Sequence, residues 1–229
     1  MIRICPECRA GAPGTAQTCP ACGTGLPPDL PRGGHQLVGM VIEEKYRLDD
    51  FLTEGGMGWV YRGQHLRLGS DIAIKLMKPP SHASASVEAR FAREARSSSR
   101  LNHPHIISVM DFGRTPAGML FIVSEFIDGR TLTEVMDDDV PFDLHRALRI
   151  FSQLLAAVEV AHAHKVVHRD LKPDNLMVLR LSDGDFIKVL DFGIAKLEEE
   201  SSSELTLAGD LFGTPAYMAP EQIDGRHDV

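Results

Sequence analysis

Cysteine is absent after residue 22: Cys5, Cys8, Cys19 and Cys22 are the only four in the chain. A disulfide-stapled scaffold is thereby excluded for nearly its whole length. Aromatic residues are few, with one Trp and three Tyr, and 24 basic residues against 32 acidic leave a net charge of −8. A general binder of phosphate backbones needs a basic face and stacking rings, so nucleic-acid binding is not expected. No uninterrupted apolar run has the length of a membrane span. The opening "MIRICPEC" lacks the apolar core of a secretory signal. These absences point to a cytoplasmic chain. What is present is globular: 43% apolar and 24% charged residues can bury one substantial domain and a small accessory one.

The four cysteines form two Cys-x-x-Cys pairs in "CPECRAGAPGTAQTCPACGTG". Four thiolates on two knuckles suit tetrahedral Zn²⁺, and Pro after the first Cys of each pair favours the tight turn that aims both sulfurs at one ion. The spacer between the pairs is short, so the enclosed loop must be compact. A disulfide pair and a dithiol redox site are the alternatives. A cytoplasmic chain disfavours the first, and the lack of a neighbouring βαβ pattern disfavours the second. So small a core would not fold without its metal. Residues 1–24 thus read as a structural zinc-ribbon-like unit. Residues 25–45 read as a linker, on the Pro- and Gly-rich "GLPPDLPRGGHQ".

From Tyr46 the pattern changes. "YRLDDFL", "WVYRGQH" and "DIAIKLM" are short β-rich runs between turns, which predicts an antiparallel meander. "SVEARFAREARSSSRL" has helical spacing, and "IISVMDFG" and "LFIVSEF" return to strand. A long helix follows in "DLHRALRIFSQLLAAVEVAHAH", with Asp143 as N-cap and Leu144, Leu148, Phe151, Leu155, Val158 and His162 along one face. A β-rich half precedes a helical half, and no internal repeat is visible.

Five short stretches stand apart: "TEGGMGWV", "AIK", "HRDLKPDN", "DFG" and "APE", in that order. In "VVHRDLKPDNLMV" an imidazole, a carboxylate, an ammonium and a carboxamide crowd a segment between apolar residues, a costly arrangement unless it performs chemistry. Together the five resemble the glycine-rich loop, strand lysine, catalytic loop, metal-binding turn and activation-segment end of a Ser/Thr protein kinase of bacterial type. The resemblance implies an α+β fold: a protein-kinase-like bilobal domain over 46–229, with a β-rich N-lobe (46–127) and an incomplete helical C-lobe (128–229).

The resemblance also implies roles. Phosphoryl transfer requires in-line positioning and charge neutralisation more than covalent work by the protein. Gly55, Gly56 and Gly58, lacking Cβ atoms, would let backbone N–H groups approach the phosphates of ATP. Lys75 would contact the α- and β-phosphates, oriented by Glu94 from the helix "RFAREAR". Leu52, Val60, Ala73 and Met177 would enclose adenine, and Glu125 and Ile127 in "EFID" would offer it backbone groups. Asp170 would be the catalytic base, Lys172 would neutralise the transferred phosphoryl group, and Asn175 and Asp191 would hold Mg²⁺. Ser124 falls where the family usually has a larger residue, which predicts extra room behind adenine for bulky N6-substituted analogues. Arg169 beside Asp170 suits an activation-segment phosphate, with Thr206 as the candidate site and Thr214 as part of the substrate platform.

Three departures from the pattern qualify this. Thr53 replaces the loop's first glycine, stiffening the entry without removing a phosphate contact. Ser98, one helical turn after Glu94, stands where the family usually places a large apolar residue, in a column with Val109, Phe192 and His168. Loss of that packing predicts a poorly anchored helix. The chain also stops soon after "APE", where the family continues with helices that cover the residue 144–162 face, surround Tyr217 and give Glu221 an Arg partner. A gene fragment or truncated reading frame is the expected reason, with a split kinase completed by a partner as the alternative. The leading expectation is an ATP- and Mg²⁺-dependent protein kinase acting on Ser/Thr of protein substrates. Its rivals are a nucleotide-binding regulatory module without catalysis, and a zinc ribbon whose main task is docking a protein partner.

Overall fold

The computed structural model describes residues 2–5, 7–8, 11–13, 16–26, 37–55, 58–77, 85–139, 142–192 and 215–223. The chain forms two compact units. The first comprises Met1–Glu88 and Val109–Phe126, the second Ala89–Ser108 and Ile127–Val229.

In the first unit, β1 (Ile2–Ile4) and β2 (Gly11–Pro13) make an antiparallel pair beside the cysteines. Cys5, Ala12, Cys19 and Leu26 form a small core of their own. A six-stranded antiparallel sheet follows, built from β3 (Val41–Ile42), β4 (Tyr46–Glu54), β5 (Gly58–His65), β6 (Asp71–Met77), β7 (Val109–Arg114) and β8 (Leu120–Glu125). Its order is β3-β4-β5-β6-β8-β7, the meander expected from alternating β-rich runs with one strand exchange at the end. Period-two alternation sorts its faces. In β6, Ile72, Ile74 and Leu76 are fully buried, while Ala73, Lys75 and Met77 are half-buried on the other face. Leu48, Tyr61 and Val123 complete the core, joined by Leu37, Met40 and Ile42.

That last trio narrows the expected linker. Leu37, Met40 and Ile42 pack into the sheet's core, and Leu26 packs on the cysteine cluster, because each is an apolar residue with a core within reach. The Pro- and Gly-rich stretch between them, 27–36, lies outside the described residues.

The second unit takes up most of α1 (Ala85–Ser99), then β9 (Arg130–Thr131), α2 (Leu132–Asp138), α3 (Leu144–Ala163), β10 (Leu176–Leu181), β11 (Gly184–Val189) and a final turn of helix, α4 (Pro220–Ile223). Strands β11-β10-β9 form a small antiparallel sheet. Helix α2 starts with a full capping box between Thr131 and Glu134. Helix α3 starts as expected, with Asp143 accepting from the Arg146 N–H at 3.0 Å.

The buried stripe of α3 is Ile150, Leu154, Ala157 and Ala161, which packs with Leu176, Val178, Ile187 and Val189 of the small sheet. The other apolar stripe, Leu144, Leu148, Phe151 and Leu155, is between 58% and 68% exposed. One charged pair sits inside this unit: Asp185 is buried and receives the Arg146 guanidinium, which also reaches Asp139 at 2.5 Å.

Candidate functional site

The "HRDLKPDN" stretch is irregular chain that ends in a short 3-10 turn over Pro173–Asn175. Pro173 at the start of that turn fixes φ and needs no N–H partner. The turn brings three predicted residues together. Lys172 Nζ lies 3.0 Å from Asp170 Oδ2. Asn175 Nδ2 donates to the same carboxylate oxygen at 3.0 Å and to the Asp170 carbonyl at 2.7 Å. The amide therefore spends both N–H groups on Asp170, which fixes its rotation and leaves its oxygen as a donor for a hard cation.

Arg169 precedes Asp170 in the left-handed backbone region, at φ +68°. Its carbonyl accepts a hydrogen bond from Gln222 Nε2 at 2.8 Å, and Gln222 Oε1 accepts from the Ala219 N–H at 3.1 Å. Gln222 thus ties the "APE" segment to the catalytic loop. Sequence reasoning missed it because its partner lies far along the chain and a lone Gln after "APE" carries no pattern.

Asp191 also has a left-handed backbone, at φ +57°. A non-glycine residue there costs on the order of 1–3 kcal/mol and persists only where its surroundings over-determine it. His168 Nε2 lies 2.7 Å from the Leu190 carbonyl, and the Asp170 N–H points at His168 Nδ1 from 3.3 Å. A carbonyl can only accept, so Nε2 carries the proton and the ring is the neutral tautomer. Burial pushes the His168 pKa below its ordinary value, against the opposing pull of the Leu190 carbonyl, Asp191 and Asp170. Ser98, expected to leave a gap, is buried and donates to the Phe192 carbonyl at 2.5 Å.

In the first unit, strand register gathers the residues assigned to the nucleotide. Val60 pairs with Lys75, and Ala73 pairs with Ser124, so all four share the sheet face opposite the core. Leu52 sits at a register shift between Phe51 and Thr53 and is exposed. Gly55 is exposed, and its N–H donates to the Gly58 carbonyl at 2.9 Å. Gly58 has a packing reason as well: a Cβ there would stand 2.0 Å from the Leu76 carbonyl oxygen. Glu125 ends β8. In the second unit Met177 is half-buried on the face of β10 opposite Leu176 and Val178, Ile127 is half-buried, and Glu94 pairs with its neighbour Arg93 at 3.2 Å. Gly56, Thr206 and Thr214 lie outside the described residues.

The four cysteine sulfurs lie within 4.8 Å of one another. Cys5 and Cys22 are 3.6 Å apart, as are Cys8 and Cys19. A tetrahedron of ~2.3 Å Zn–S bonds has its sulfurs about 3.8 Å apart, whereas a disulfide needs about 2.05 Å. The cluster fits the ion and not the cross-link. Gly23, at φ +75°, closes the second knuckle by donating its N–H to the Cys19 carbonyl at 2.8 Å. The Thr24 hydroxyl and N–H pull the Cys22 thiol down to about 6, towards the thiolate a metal requires.

Comparison with known proteins agrees with this geometry. The family model described as protein kinase domain matches residues 46–228. Serine/threonine-protein kinase pkn3 of Myxococcus xanthus is 45% identical over 193 residues, covering 83% of this chain and 35% of that protein. Serine/threonine-protein kinase PknB of Mycolicibacterium smegmatis is 37% identical over 196 residues, covering 82% and 31%. The chain therefore spans about a third of the length of these curated relatives. The crystal structure of the Mycobacterium tuberculosis PknI kinase domain superposes with a TM-score of 0.60 at 32% identity, covering 69% of this chain and 63% of that one. With its curled antiparallel sheet, its clustered Asp170, Lys172 and Asn175, and this match over most of its length, the chain belongs to the protein kinase domain family, among the bacterial-type serine/threonine kinases.

Proposed function

We propose that this chain carries the ATP- and Mg²⁺-dependent phosphorylation of Ser and Thr hydroxyls on protein substrates. One observation supports it most: the Asp170 carboxylate is held by both Lys172 and Asn175, each at 3.0 Å. Asp170 accepts the proton of the incoming hydroxyl as its oxygen bonds to the γ-phosphorus and the bond to ADP breaks. Lys172 offsets charge on the transferred group. Asn175 and Asp191 would hold Mg²⁺ through their oxygens, and the ion would supply charge neutralisation at the phosphates. Lys75 holds the α- and β-phosphates, and Gly55, Gly56 and Gly58 give the phosphates backbone N–H groups. Within the first unit, Leu52, Val60, Ala73 and Glu125 receive the adenine, with Ser124 leaving room for bulkier N6 substituents.

Incubation of the chain with Mg²⁺–ATP followed by intact-mass spectrometry tests this. Wild type gains phosphates, and Asp170→Asn loses about 10²–10⁴-fold in rate, the contribution expected of a positioned base. Folded, nucleotide-binding protein that gains none would be a regulatory module instead.

We further propose that Cys5, Cys8, Cys19 and Cys22 hold one structural Zn²⁺ in a ribbon-like unit over residues 1–24, and that this unit docks a protein partner. The sulfur spacing supports the metal site. Elemental analysis is expected to give one zinc per chain and none in Cys19→Ser. Among the described residues no helix is long and apolar enough to cross a membrane. A cytoplasmic location is the reading in keeping with the clustered free thiols.

A further inference from the structure

Among the described residues, four buried side chains are polar or charged: Ser98, Thr115, His168 and Asp185. Two have plainly structural partners, since Thr115 accepts from the Met119 N–H at 3.1 Å and Asp185 pairs with Arg146. The other two converge on one short turn. His168 donates to the carbonyl of Leu190, and Ser98 donates to the carbonyl of Phe192. Between those carbonyls lies Asp191, the residue in the left-handed backbone conformation.

A backbone conformation is set by the two peptide planes that flank the residue. The plane before Asp191 is held through the Leu190 carbonyl, and the plane before that through the Leu190 N–H, which donates to the Asn175 carbonyl at 2.9 Å. On the other side the Ser98 hydroxyl holds the Phe192 carbonyl, in the peptide plane that follows Phe192, at 2.5 Å, so the Asp191–Phe192 pair is bracketed by anchored planes. The Phe192 ring packs against His168 at a centroid distance of 4.8 Å, so the two clamps share one wall. Ser98 belongs to the last turn of α1, whose apolar residues Phe91 and Ala95 are buried, so its backbone is anchored independently of the hydrogen bond.

We infer that Ser98 is a positioning residue for Asp191, its hydroxyl fixing the Asp191–Phe192 backbone in the conformation that presents the Asp191 carboxylate to Mg²⁺. This rests on the proposed role of Asp191 in Mg²⁺–ATP binding. A large apolar residue at 98 would fill the space, but it could not bond the carbonyl. Serine makes the anchor directional, and a buried carbonyl robbed of its donor loses its hydrogen bond without gaining water.

The test uses the zinc-loaded chain and four variants: Ser98→Ala, Ser98→Val, Ser98→Thr and Asp191→Asn. Calorimetric titration with ATP is done in Mg²⁺ and again in EDTA, and amide hydrogen exchange is followed over Leu190–Phe192. Removal of the hydroxyl in Ser98→Ala and Ser98→Val is expected to weaken Mg²⁺–ATP binding about five- to tenfold, the ratio for one net hydrogen bond. Binding in EDTA stays within about twofold, and exchange at the turn speeds up. Ser98→Thr, isosteric with Val but bearing the hydroxyl, retains wild-type Mg²⁺ dependence. Equal losses with and without Mg²⁺, or Thr behaving as Val does, would reduce Ser98 to a packing residue. Wild-type binding in Ser98→Ala with lost Mg²⁺ dependence in Asp191→Asn would overturn the positioning role alone. Unaltered Mg²⁺ dependence in Asp191→Asn would instead remove the metal-binding reading on which it rests.

Discussion

The sheet of the first unit and helix α3 of the second solve the same problem differently. Along β6 each apolar residue that faces inward is fully buried, and the alternate face carries Ala73 and Lys75 at partial exposure. Helix α3 has two apolar stripes, and one of them, including Leu148 and Phe151, is open to solvent. A strand that alternates by two separates core from chemistry cleanly. A helix with apolar residues on two sides needs cover on both, and α3 is covered on one. The polar interior differs as well. The second unit buries the Asp185–Arg146 pair, whereas the sheet's Arg62–Asp71 pair, at 2.8 Å, is half-exposed.

The sharpest way to break this comparison is through the ion pairs. Arg146→Met leaves Asp185 buried and unpaired, and is expected to destabilise the second unit by about 3–5 kcal/mol. Arg62→Ala should cost roughly 0–1 kcal/mol, because water replaces its partner. Chemical denaturation resolves both, and equal effects would mean that Asp185 is better hydrated than its burial implies. The apolar contrast comes next. Ile74→Ala opens a cavity in the sheet core at a cost of about 2–5 kcal/mol. Leu148→Ala should stay within about 0.5 kcal/mol, as a surface site does. Leu148→Glu should also reduce self-association in sedimentation experiments, since it breaks an exposed apolar stripe.

Much of this was legible because the relevant signals are local. The strands over 46–52, 59–65 and 71–77, the Asp143 cap, and the grouping of Asp170, Lys172 and Asn175 all depend on neighbours within a few positions. The gathering of Cys5, Cys8, Cys19 and Cys22 around one point follows from the two Cys-x-x-Cys knuckles. What could not be read depends on distant partners. Leu37, Met40 and Ile42 follow a Pro- and Gly-rich stretch that reads as linker, and only the assembled sheet reveals the core they enter. Ser98 read as a missing apolar contact, because its acceptor is a backbone carbonyl 94 residues away and backbone acceptors leave no trace in a side-chain pattern. Gln222 was hidden for the same reason.

The smallest expected effect concerns the imidazole that shares the Asp191 turn. His168 is neutral and buried, with its pKa pushed below the ordinary 6.5 by loss of solvation. The unfolded chain then binds a proton more readily than the folded one, so stability must fall as pH falls. The contribution is complete above about pH 6.5 and is lost as pH drops from there through the folded value. His103 is shifted in the same direction, chiefly by burial, and adds a loss in the same window. Asp170 and Asp191 oppose the His168 shift without reversing it. Thermal unfolding of wild type between pH 7.5 and 5, compared with His168→Gln, isolates the term. A flatter profile in the variant confirms that the ring must stay neutral to keep its Nε2 proton on Leu190 and its Nδ1 lone pair towards the Asp170 N–H. Parallel profiles would mean that protonated His168 is accommodated, and that the Asp191 turn is held mainly from the Ser98 side.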